Sequence, residues 1–392
     1  MEFLYLSPEF PPNFANFILQ LEKQGANVWA LGEADFYEMP VTLRKAIRYY
    51  VRTDLTSTEA VEKALEEILS AKTAMGTPDR FDVVESHNEI WLGLEAHLNK
   101  ILDIPGIRPT ELDRLKKKSA MKRQFAACSL PLARGERMSD RNHGLKLAQE
   151  IGFPLILKPD EGVGAGSIHK VSDQAMLEDL LPRLEGDYFM EAFVDAPIVS
   201  YDGLVDRDGK LLFENSLTYG DGVLDYVHGK DTFFYVERHI PEPLRDIGLQ
   251  LVETFEIYRK FFHFEFFWME GSYMPIEINC RPPGGAILDM MNYSVDDDLY
   301  AAYAHMIMDR EETTVTSEKK HYCAYVGRRD RDYVFSHDQL LQRLGNALVE
   351  FGENPEVFRA AMSRYRYIIR SVSREQLLKL ANDIQLTDHN TH

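Results

Sequence analysis

The stretch FFHFEFFWMEGSYMPIEINCRPPGG, residues 261–285, has the composition of two β-strands joined by a tight turn. Residues 263–269 and 273–280 are rich in aromatic and β-branched side chains, and residues 270–272 (Glu-Gly-Ser) separate them. Such a pattern predicts an antiparallel hairpin whose loop consists of those three residues. A Pro-Pro-Gly-Gly turn then opens a predicted helix.

This register brings three oxygen-bearing side chains together. Glu265 falls opposite Glu277, and Asn279 lies two residues further along on the same face. Facing carboxylates repel one another unless a cation lies between them. An oxygen-only set suits Mg²⁺ or Mn²⁺, completed by water and phosphate oxygens, better than zinc. The alternative is a strand pair with polar residues on a solvated face, but the apolar surroundings favour a metal site formed by Glu265, Glu277 and Asn279.

Length and composition predict a globular protein with several subdomains. The chain has 392 residues, of which 45% are hydrophobic, and a formal net charge of −19. This charge argues against nucleic acid or an anionic membrane as a partner. Three scattered cysteines without a C-x-x-C pattern favour a reduced compartment. The first residues are too acidic for a signal peptide and no apolar run is long enough to span a membrane, so we expect a soluble, cytoplasmic protein.

Residues 1–110 alternate between predicted strands and helices, which is typical of a small doubly wound domain. No G-x-G-x-x-G occurs, so a dinucleotide site is not indicated. The polar run ESHNE, residues 85–89, follows a predicted strand at 81–84, at the sheet edge where such domains bind ligands. The alternative is that Ser86 or Asn88 caps the next helix.

A basic helix and a glycine-rich loop come next. The helix predicted at 111–127 carries several lysines, which are either solvated or close to phosphates. Residues 153–158 (FPLILK) predict a strand that ends at Lys158, and a second strand follows at 168–171. The glycines between these strands allow backbone N–H groups to close over a polyphosphate, although surface hairpins also carry glycines. This is not a Walker A loop, because no Gly-Lys-Ser/Thr closes it.

Two further segments carry candidate binding groups. Residues 187–194 (DYFMEAFV) predict a strand in which Glu191 is the one charge within an apolar middle. Such a segment offers backbone donors and acceptors to a purine edge, or is simply a strand terminus. Three consecutive aspartates at 296–298 either favour a cationic amine or cap a helix N-terminus.

Taken in order, these segments resemble the ATP-grasp superfamily over residues 112–309. The likeness is closest to carbamoyl-phosphate synthase large subunit-like proteins and amino-acid ligases. A second grasp module is absent, so synthesis of carbamoyl phosphate itself is not expected. The matching pieces are Lys118 with Pro131, the triplet LKP at 157–159 with its glycine loop, MEAFV at 190–194, FEF at 264–266 and EINCRPPGG at 277–285.

The resemblance implies a chain of mixed α/β and α+β class with four parts. A Rossmann-like pre-ATP-grasp domain would occupy residues 1–110. The small, or lid, subdomain of the grasp fold would occupy 111–194, and the large subdomain with the metal site 195–315. A small α+β appendage would occupy 316–392.

The resemblance also implies how a nucleotide would bind. Lys118 and Lys158 would hold the ATP phosphates. Glu191 would face the adenine amino group. The backbone at Ala192 and Val194 would complete the adenine site, and we call residues 191–194 the hinge. The residues of the covering loop would be Gly162, Gly164, Gly166 and Ser167.

The metal ligands would be Glu265, Glu277 and Asn279, holding one or two Mg²⁺ (or Mn²⁺) ions, and Arg281 and Lys158 would be the catalytic residues.

One position departs from the family pattern. The acidic residue that usually binds the ribose falls at Ile198, so Asp195 and Asp202 are the alternatives. From the loop at 219–230, His228 and Lys230 are candidates for a contact with the γ-phosphate.

These expectations define a function. The chain would be an ATP-dependent carboxylate–amine ligase of the EC 6.3 type that forms an amide or peptide bond through an acyl phosphate. The alternatives are an enzyme that phosphorylates bicarbonate or carbamate, and a regulatory protein that binds ATP without turnover. The substrates would be ATP, a small carboxylate and an amine, and a homodimer is an open possibility.

Overall fold

The computed structural model describes residues 1–162, 167–220, 222, 226, 229–310, 315 and 318–387. The strands are β1 (Glu2–Leu6), β2 (Asn27–Gly32), β3 (Ile47–Arg52), β4 (Val83–Glu85), β5 (Gly135–Arg137), β6 (Leu155–Pro159), β7 (His169–Val171), β8 (Tyr188–Ala192), β9 (Ile198–Val205), β10 (Leu211–Asn215), β11 (Leu217–Tyr219), β12 (Phe233–Val236), β13 (Lys260–Met269), β14 (Ser272–Asn279), β15 (Tyr322–Arg328), β16 (Leu348–Glu353) and β17 (Tyr365–Ser371). The helices are α1 (Ala15–Lys23), α2 (Val41–Ala46), α3 (Thr58–Ala74), α4 (Leu92–Ile101), α5 (Leu112–Lys116), α6 (Lys118–Ala127), α7 (Arg141–Ile151), α8 (Gln174–Leu180), α9 (Glu242–Thr254), α10 (Ile287–Val295), α11 (Leu299–Ile307), α12 (His337–Leu344), α13 (Arg359–Met362) and α14 (Arg374–Gln385).

The N-terminal domain is built on a parallel sheet in the order β3-β2-β1-β4. Every residue of the central strand β1 is buried, as expected for a strand covered by helices on both faces. Helix α3 begins after Ser57, whose side chain accepts a hydrogen bond from the backbone N–H of Ala60. This is the doubly wound arrangement that the alternating pattern predicts.

The small subdomain contains a second, antiparallel sheet in the order β5-β8-β6-β7. Strands β6 and β7 form the predicted hairpin, with Leu155 paired to Val171. Helices α7 and α8 cover one face of the sheet through a buried apolar cluster that includes Leu147, Leu157 and Leu177. Because β8 pairs antiparallel with β6, the hinge residues Glu191 and Ala192 lie beside Ile156 and Leu155, at the start of the strand that ends near Lys158.

The large sheet runs in the order β14-β13-β9-β11-β12-β15-β17-β16, with β10 paired to β9. Strands β15, β16 and β17 come from the C-terminal segment, and they extend this sheet because β15 pairs directly with β12. The C-terminal segment has the α+β composition that the sequence predicts. Its strands nevertheless continue the sheet of residues 195–315.

The β13–β14 hairpin reaches the predicted register by a different route. Its turn contains two residues, Glu270 and Gly271, which both have positive φ values of 39° and 92° and fit a two-residue hairpin turn. This shorter turn shifts the pairing by one residue, so that Phe266 pairs with Pro275. A bulge between Glu265 and Phe266 corrects the shift, and Glu265 pairs with Glu277.

The predicted basic helix at 111–127 is interrupted at Lys117, which has an extended backbone conformation with ψ 121°. The backbone N–H of Lys118 donates to the carbonyl of Asp160 at 2.8 Å instead of continuing the helix. The carboxylate of Asp160 accepts from the backbone N–H and hydroxyl of Ser119, both at 2.7 Å. Asp160 therefore caps helix α6 from a distant segment and fixes Lys118 at the start of that helix.

A buried ion cluster joins the N-terminal domain to the large sheet. Lys260 on β13 lies 2.7 Å and 2.8 Å from the two oxygens of Glu85 and 2.8 Å from Glu95. Burial raises the pKa of Glu95 above its ordinary value, and the nearby charge of Glu85 adds to this. At Glu85, burial is outweighed by Lys260, which holds the pKa of Glu85 below its ordinary value. The cluster thus keeps one glutamate ionised and the other protonated beside one cation.

We expect Lys260→Met to lower the free energy of unfolding by about 3–5 kcal/mol, because it leaves the buried, ionised carboxylate of Glu85 without its cation. Urea unfolding followed by circular dichroism measures the loss. Lys320→Met is the control, since Lys320 makes a half-exposed ion pair with Asp296 at 3.5 Å and should cost no more than about 1 kcal/mol. Equal losses in the two variants would contradict the role of the cluster.

The raised pKa of Glu95 also makes stability depend on pH. Above the ordinary glutamate pKa of 4.5 the unfolded chain has lost this proton while the folded chain retains it, so the free energy of unfolding should fall as the pH rises. The slope would be up to about 1.4 kcal/mol per pH unit. Glu95→Gln, which resembles the protonated side chain, should remove the slope.

Urea midpoints measured between roughly pH 5 and 9 check this expectation. Glu85 contributes in the opposite sense and at lower pH, because its lowered pKa gives stability that is lost only in acid. An unchanged slope in Glu95→Gln would assign the pH dependence to other groups.

Candidate active site

A cavity of about 910 Å³ lies where the N-terminal domain, the small subdomain and the large sheet meet. Its size is typical of a small-molecule site. Gly164, Gly166 and His228 lie outside the described residues. The predicted catalytic, nucleotide-binding and metal-binding residues that the structure describes line this cavity: Lys118, Lys158, Gly162, Ser167, Glu191, Ala192, Val194, Glu265, Glu277, Asn279 and Arg281. Lys230, the described candidate from the loop at 219–230, is not among the lining residues.

The predicted metal ligands share one face of the hairpin. Glu265 pairs with Glu277 across the two strands, and the amide nitrogen of Asn279 lies 3.5 Å from Glu277 Oε1. Arg281 Nη2 lies 3.3 Å from Asn279 Oδ1. Within the described residues, no three His, Cys, Asp or Glu side chains gather as a metal-binding group. The set here consists of two carboxylates and one amide, which fits Mg²⁺ completed by water and phosphate oxygens.

Behind Glu265 lies a buried pair that the sequence analysis missed. His263 Nδ1 is 2.5 Å from Asp202 Oδ1, and His263 Nε2 is 3.6 Å from Glu265 Oε1. Burial lowers the pKa of His263, but Asp202 outweighs this effect and the pKa rises to about 9. At Glu265, burial is outweighed by the nearby imidazole of His263, so the pKa of Glu265 lies below its ordinary value. The pair therefore favours an ionised, oriented carboxylate at the predicted metal site.

The same pair removes one candidate for the ribose contact. Asp202 is 1% exposed and accepts hydrogen bonds from Ser200 Oγ at 2.7 Å and Asn215 Nδ2 at 3.0 Å. The hypothesis that Asp202 binds the ribose is wrong, because its carboxylate is fully used inside the large sheet. Asp195, the other candidate, lines the cavity.

The hinge glutamate is held by two lysines. Lys158 Nζ and Lys122 Nζ each lie 2.5 Å from a different oxygen of Glu191. Burial raises the pKa of Glu191, but the two lysines outweigh it and hold the pKa below its ordinary value. The backbone N–H of Ala192 donates to Arg134 O. The N–H of Val194 has no acceptor among the described residues, although Val194 lines the cavity.

Two more lysines lie at the entrance to the glycine-rich loop. Lys118 Nζ is 3.4 Å from the carbonyl of Gly162, and Lys116 Nζ is 2.8 Å from Glu161. Burial lowers the pKa of Lys118. Gly162 has a φ of 148°, a conformation that favours glycine. From the loop at 219–230, the carbonyl of Lys230 accepts a hydrogen bond from Arg329.

The run at 85–89 contains both a helix cap and a cavity-lining residue, the two interpretations given for it above. Asn88 Oδ1 accepts from the backbone N–H of Ile90 at 3.1 Å, which is a helix cap. Glu89, the next residue, instead lines the cavity from the N-terminal domain, and its Oε2 lies 3.8 Å from Arg281 Nε. Burial raises the pKa of Glu89. A polar residue after a parallel strand was the available signal, but the sequence alone could not tell which residue turns inward.

The aspartates at 296–298 do not contribute to the cavity. Asp298 caps helix α11 by accepting from the backbone N–H groups of Tyr300 and Ala301. Asp296 pairs with Arg370. The hypothesis that these aspartates bind a cationic amine is therefore wrong, and the helix-cap interpretation is confirmed.

Within the residues that the structure describes, no helix combines the length and apolar character needed to cross a membrane.

The chain is similar in sequence to one curated protein over part of its length. No family model matches the chain. An uncharacterized protein of Sinorhizobium fredii, y4rH, is 21% identical over 283 residues, which are 66% of this chain and 56% of that protein. The chain thus spans about half the length of this curated relative.

Comparison with solved structures covers almost the whole chain. The L-amino acid ligase from Bacillus licheniformis has a TM-score of 0.76 at 14% identity, with 98% of this chain and 96% of that chain covered. N5-carboxyaminoimidazole synthetase from Staphylococcus aureus, complexed with ADP, has a TM-score of 0.71 at 11% identity over 96% and 95% of the two chains. The biotin carboxylase domain of Hydrogenobacter thermophilus 2-oxoglutarate carboxylase, a dimer with MgADP and bicarbonate, has a TM-score of 0.66 at 13% identity over 94% and 86%. The resemblance that the motifs predict is confirmed at the level of the fold: this chain has the fold of the ATP-grasp ligases.

Proposed function

We propose that the chain is an ATP-dependent carboxylate–amine ligase that forms an amide or peptide bond through an acyl phosphate and releases ADP and phosphate. The observation that carries this proposal is the convergence, in one cavity, of candidate phosphate-binding lysines, a hinge and an oxygen-only ligand set from separate segments of the chain. The similar structures include a ligase for amino acids and enzymes complexed with ADP or MgADP. This supports an EC 6.3 type of activity.

In this proposal the small subdomain binds the nucleotide. Val194 would offer its N–H to the adenine edge, and the apolar residues Ile156 and Met121 also line the cavity. Lys118 and Lys158 face the phosphates, with Gly162 and Ser167 at the ends of the covering loop. Glu191 holds Lys158 in place before the nucleotide enters.

Glu265, Glu277 and Asn279 would hold Mg²⁺ (or Mn²⁺). When bound, the ion neutralises charge on the β- and γ-phosphates during transfer. His263 keeps Glu265 oriented, and Arg281 presents its guanidinium beside the ligand set, where the transferred phosphoryl group carries its charge.

The proposed reaction needs no protein nucleophile. A carboxylate oxygen of the acid attacks the γ-phosphorus of ATP, the bond from that phosphorus to the β–γ bridging oxygen breaks, and ADP leaves. The nitrogen of the amine then attacks the acyl carbon, phosphate leaves, and the nitrogen loses a proton. Positioning and charge stabilisation supply the catalysis, and the loop protects the acyl phosphate from water.

A second candidate is phosphorylation of bicarbonate or carbamate, which the bicarbonate in the complex with the Hydrogenobacter biotin carboxylase domain favours. A regulatory protein that binds ATP without turnover is the third. A homodimer, as in that structure, and a cytoplasmic location remain part of the proposal.

A screen of ADP and phosphate release with MgATP tests the three functions. Pairs of small carboxylates and amines should release phosphate if the chain is a ligase. Release with bicarbonate alone would support the second candidate, and nucleotide binding without any release would support the third.

We expect Glu277→Gln to weaken Mg²⁺-dependent binding of ATP and to lower ADP formation at least about 10- to 100-fold, since it removes one charge from the ligand set. Isothermal titration with an ATP analogue, with and without Mg²⁺, measures binding directly. Glu270→Gln removes an exposed carboxylate from the turn of the same hairpin and should change neither value. A Glu277→Gln protein with normal Mg²⁺ dependence would exclude this metal site.

Lys158→Met should weaken binding of the ATP analogue roughly 10- to 100-fold, because a charge-assisted contact with phosphate is lost. The loss should persist without Mg²⁺, which distinguishes it from that of Glu277→Gln. Lys146→Met, at an exposed position on helix α7, is the control in the same subdomain. Unchanged affinity in Lys158→Met would mean that Lys158 serves only to hold Glu191.

A further inference from the structure

Glu89 is a buried carboxylate in the cavity wall whose hydrogen-bonding capacity is unused. It is 7% exposed, and its Oε2 has no hydrogen-bond partner among the described residues. Burying a carboxylate without such partners is costly, so an unsatisfied group that lines a cavity points to a ligand. None of the roles proposed above uses it.

The contact with Arg281 does not satisfy Glu89. The separation of 3.8 Å between Arg281 Nε and Glu89 Oε2 is too long for a hydrogen bond. Arg281 directs its Nη groups elsewhere, to Pro282 O at 2.9 Å and to Asn279 Oδ1 at 3.3 Å. The two side chains are therefore neighbours of opposite charge, each with capacity for a further partner.

The surroundings identify the chemistry of that partner. Besides burial and Arg281, the charges of Glu277, Lys116 and Lys118 act on Glu89, and all of these side chains line the cavity. A group that binds between Glu89 and Arg281 meets a carboxylate and a guanidinium side by side. A zwitterion with adjacent ammonium and carboxylate groups complements both charges, whereas a simple carboxylic acid satisfies only one.

We propose that Glu89 and Arg281 form the subsite for the acid substrate, and that this acid is an α-amino acid whose ammonium group binds Glu89 while its carboxylate lies beside Arg281. This inference rests on the proposed ligase function and specifies it. The amino acid whose ammonium group binds Glu89 is also the molecule whose carboxylate becomes phosphorylated, because Arg281 adjoins the proposed metal ligands. The attacking amine comes from a second molecule.

The test isolates the acid by using hydroxylamine as the amine. With MgATP, the carboxylate takes the γ-phosphoryl group and ADP leaves. Hydroxylamine nitrogen then attacks the acyl carbon, phosphate leaves, and the nitrogen loses a proton to give a hydroxamate that iron(III) detects. Each α-amino acid is paired with its analogue that lacks only the amino group, such as alanine with propanoate and leucine with 4-methylpentanoate.

The wild-type protein should form hydroxamate at least about 10-fold faster, at limiting substrate, from the preferred amino acid than from its analogue, as a charged hydrogen bond implies. In Glu89→Gln this preference should fall to within a few-fold, while binding of MgATP is retained. Glu62→Gln, which removes a half-exposed carboxylate from the same domain, should keep the full preference. Equal rates with an amino acid and its analogue in wild type, or an unchanged preference in Glu89→Gln, would overturn the subsite.

Failure of the ligase function has a different signature. If no acid gives hydroxamate, or if Glu89→Gln gives none, a binding measurement tests the subsite instead. Calorimetry then compares an amino acid with its analogue on protein loaded with Mg²⁺ and a non-hydrolysable ATP analogue. Tighter binding of the amino acid that depends on Glu89 supports the subsite even without turnover, and equal or absent binding overturns it.

Discussion

Two carboxylates that face each other across paired strands set the main constraint on this structure. Glu265 and Glu277 occupy opposite positions of the β13–β14 hairpin, although a two-residue turn alone would separate them by one step. A bulge restores the pairing, and a protonated His263 behind Glu265 offsets part of the repulsion. The arrangement is unfavourable for an isolated hairpin, since like charges placed opposite each other destabilise a sheet. It becomes favourable when a cation occupies the cavity side, which links the local strain to the proposed function.

The N-terminal domain completes the cavity, and both the buried cluster around Lys260 and a shared apolar core hold it against the large sheet. Lys260 lies on the same strand as His263 and Glu265, and it binds Glu85 at the end of β4. The chain then turns at Asn88 and directs Glu89 toward Arg281. This buried cation therefore contributes to the distance between Glu89 of the first domain and the face that carries the predicted metal ligands. Opening of this domain interface would separate Glu89 from Arg281.

The sequence predicted the parts of the site that depend on local pattern. The hairpin, the lysine at the strand end and the hinge follow from residue types and spacing along short segments, and the order of these segments indicated the fold. Contacts between distant segments were not accessible in this way. Asp202 looked available for the ribose, because nothing in its own segment reveals His263 on the neighbouring strand. The interruption of the basic helix at Lys117 depends on Asp160, a residue more than a full helix away in sequence. The α+β composition of the C-terminal segment was predicted, but strand β16 was not. The continuation of the large sheet by these strands depends on pairing with β12, which local pattern did not reveal.

The charge balance of the cavity explains how a protein of net charge −19 could accept a triphosphate. Among the described lining residues, the cations Lys116 and Lys158 already pair with Glu161 and Glu191, so they present little net charge to an incoming anion. The facing glutamates at 265 and 277 add further negative charge at the phosphate end. A nucleotide without a divalent ion would therefore enter an environment that is neutral at best. In the proposed function, the magnesium complex would bring the missing cation with it, and the acidic ligand set would then attract what it would otherwise repel. The proposed preference for the metal complex over free ATP therefore follows from the pairing of Lys116 and Lys158 with glutamates as much as from the facing glutamates at 265 and 277.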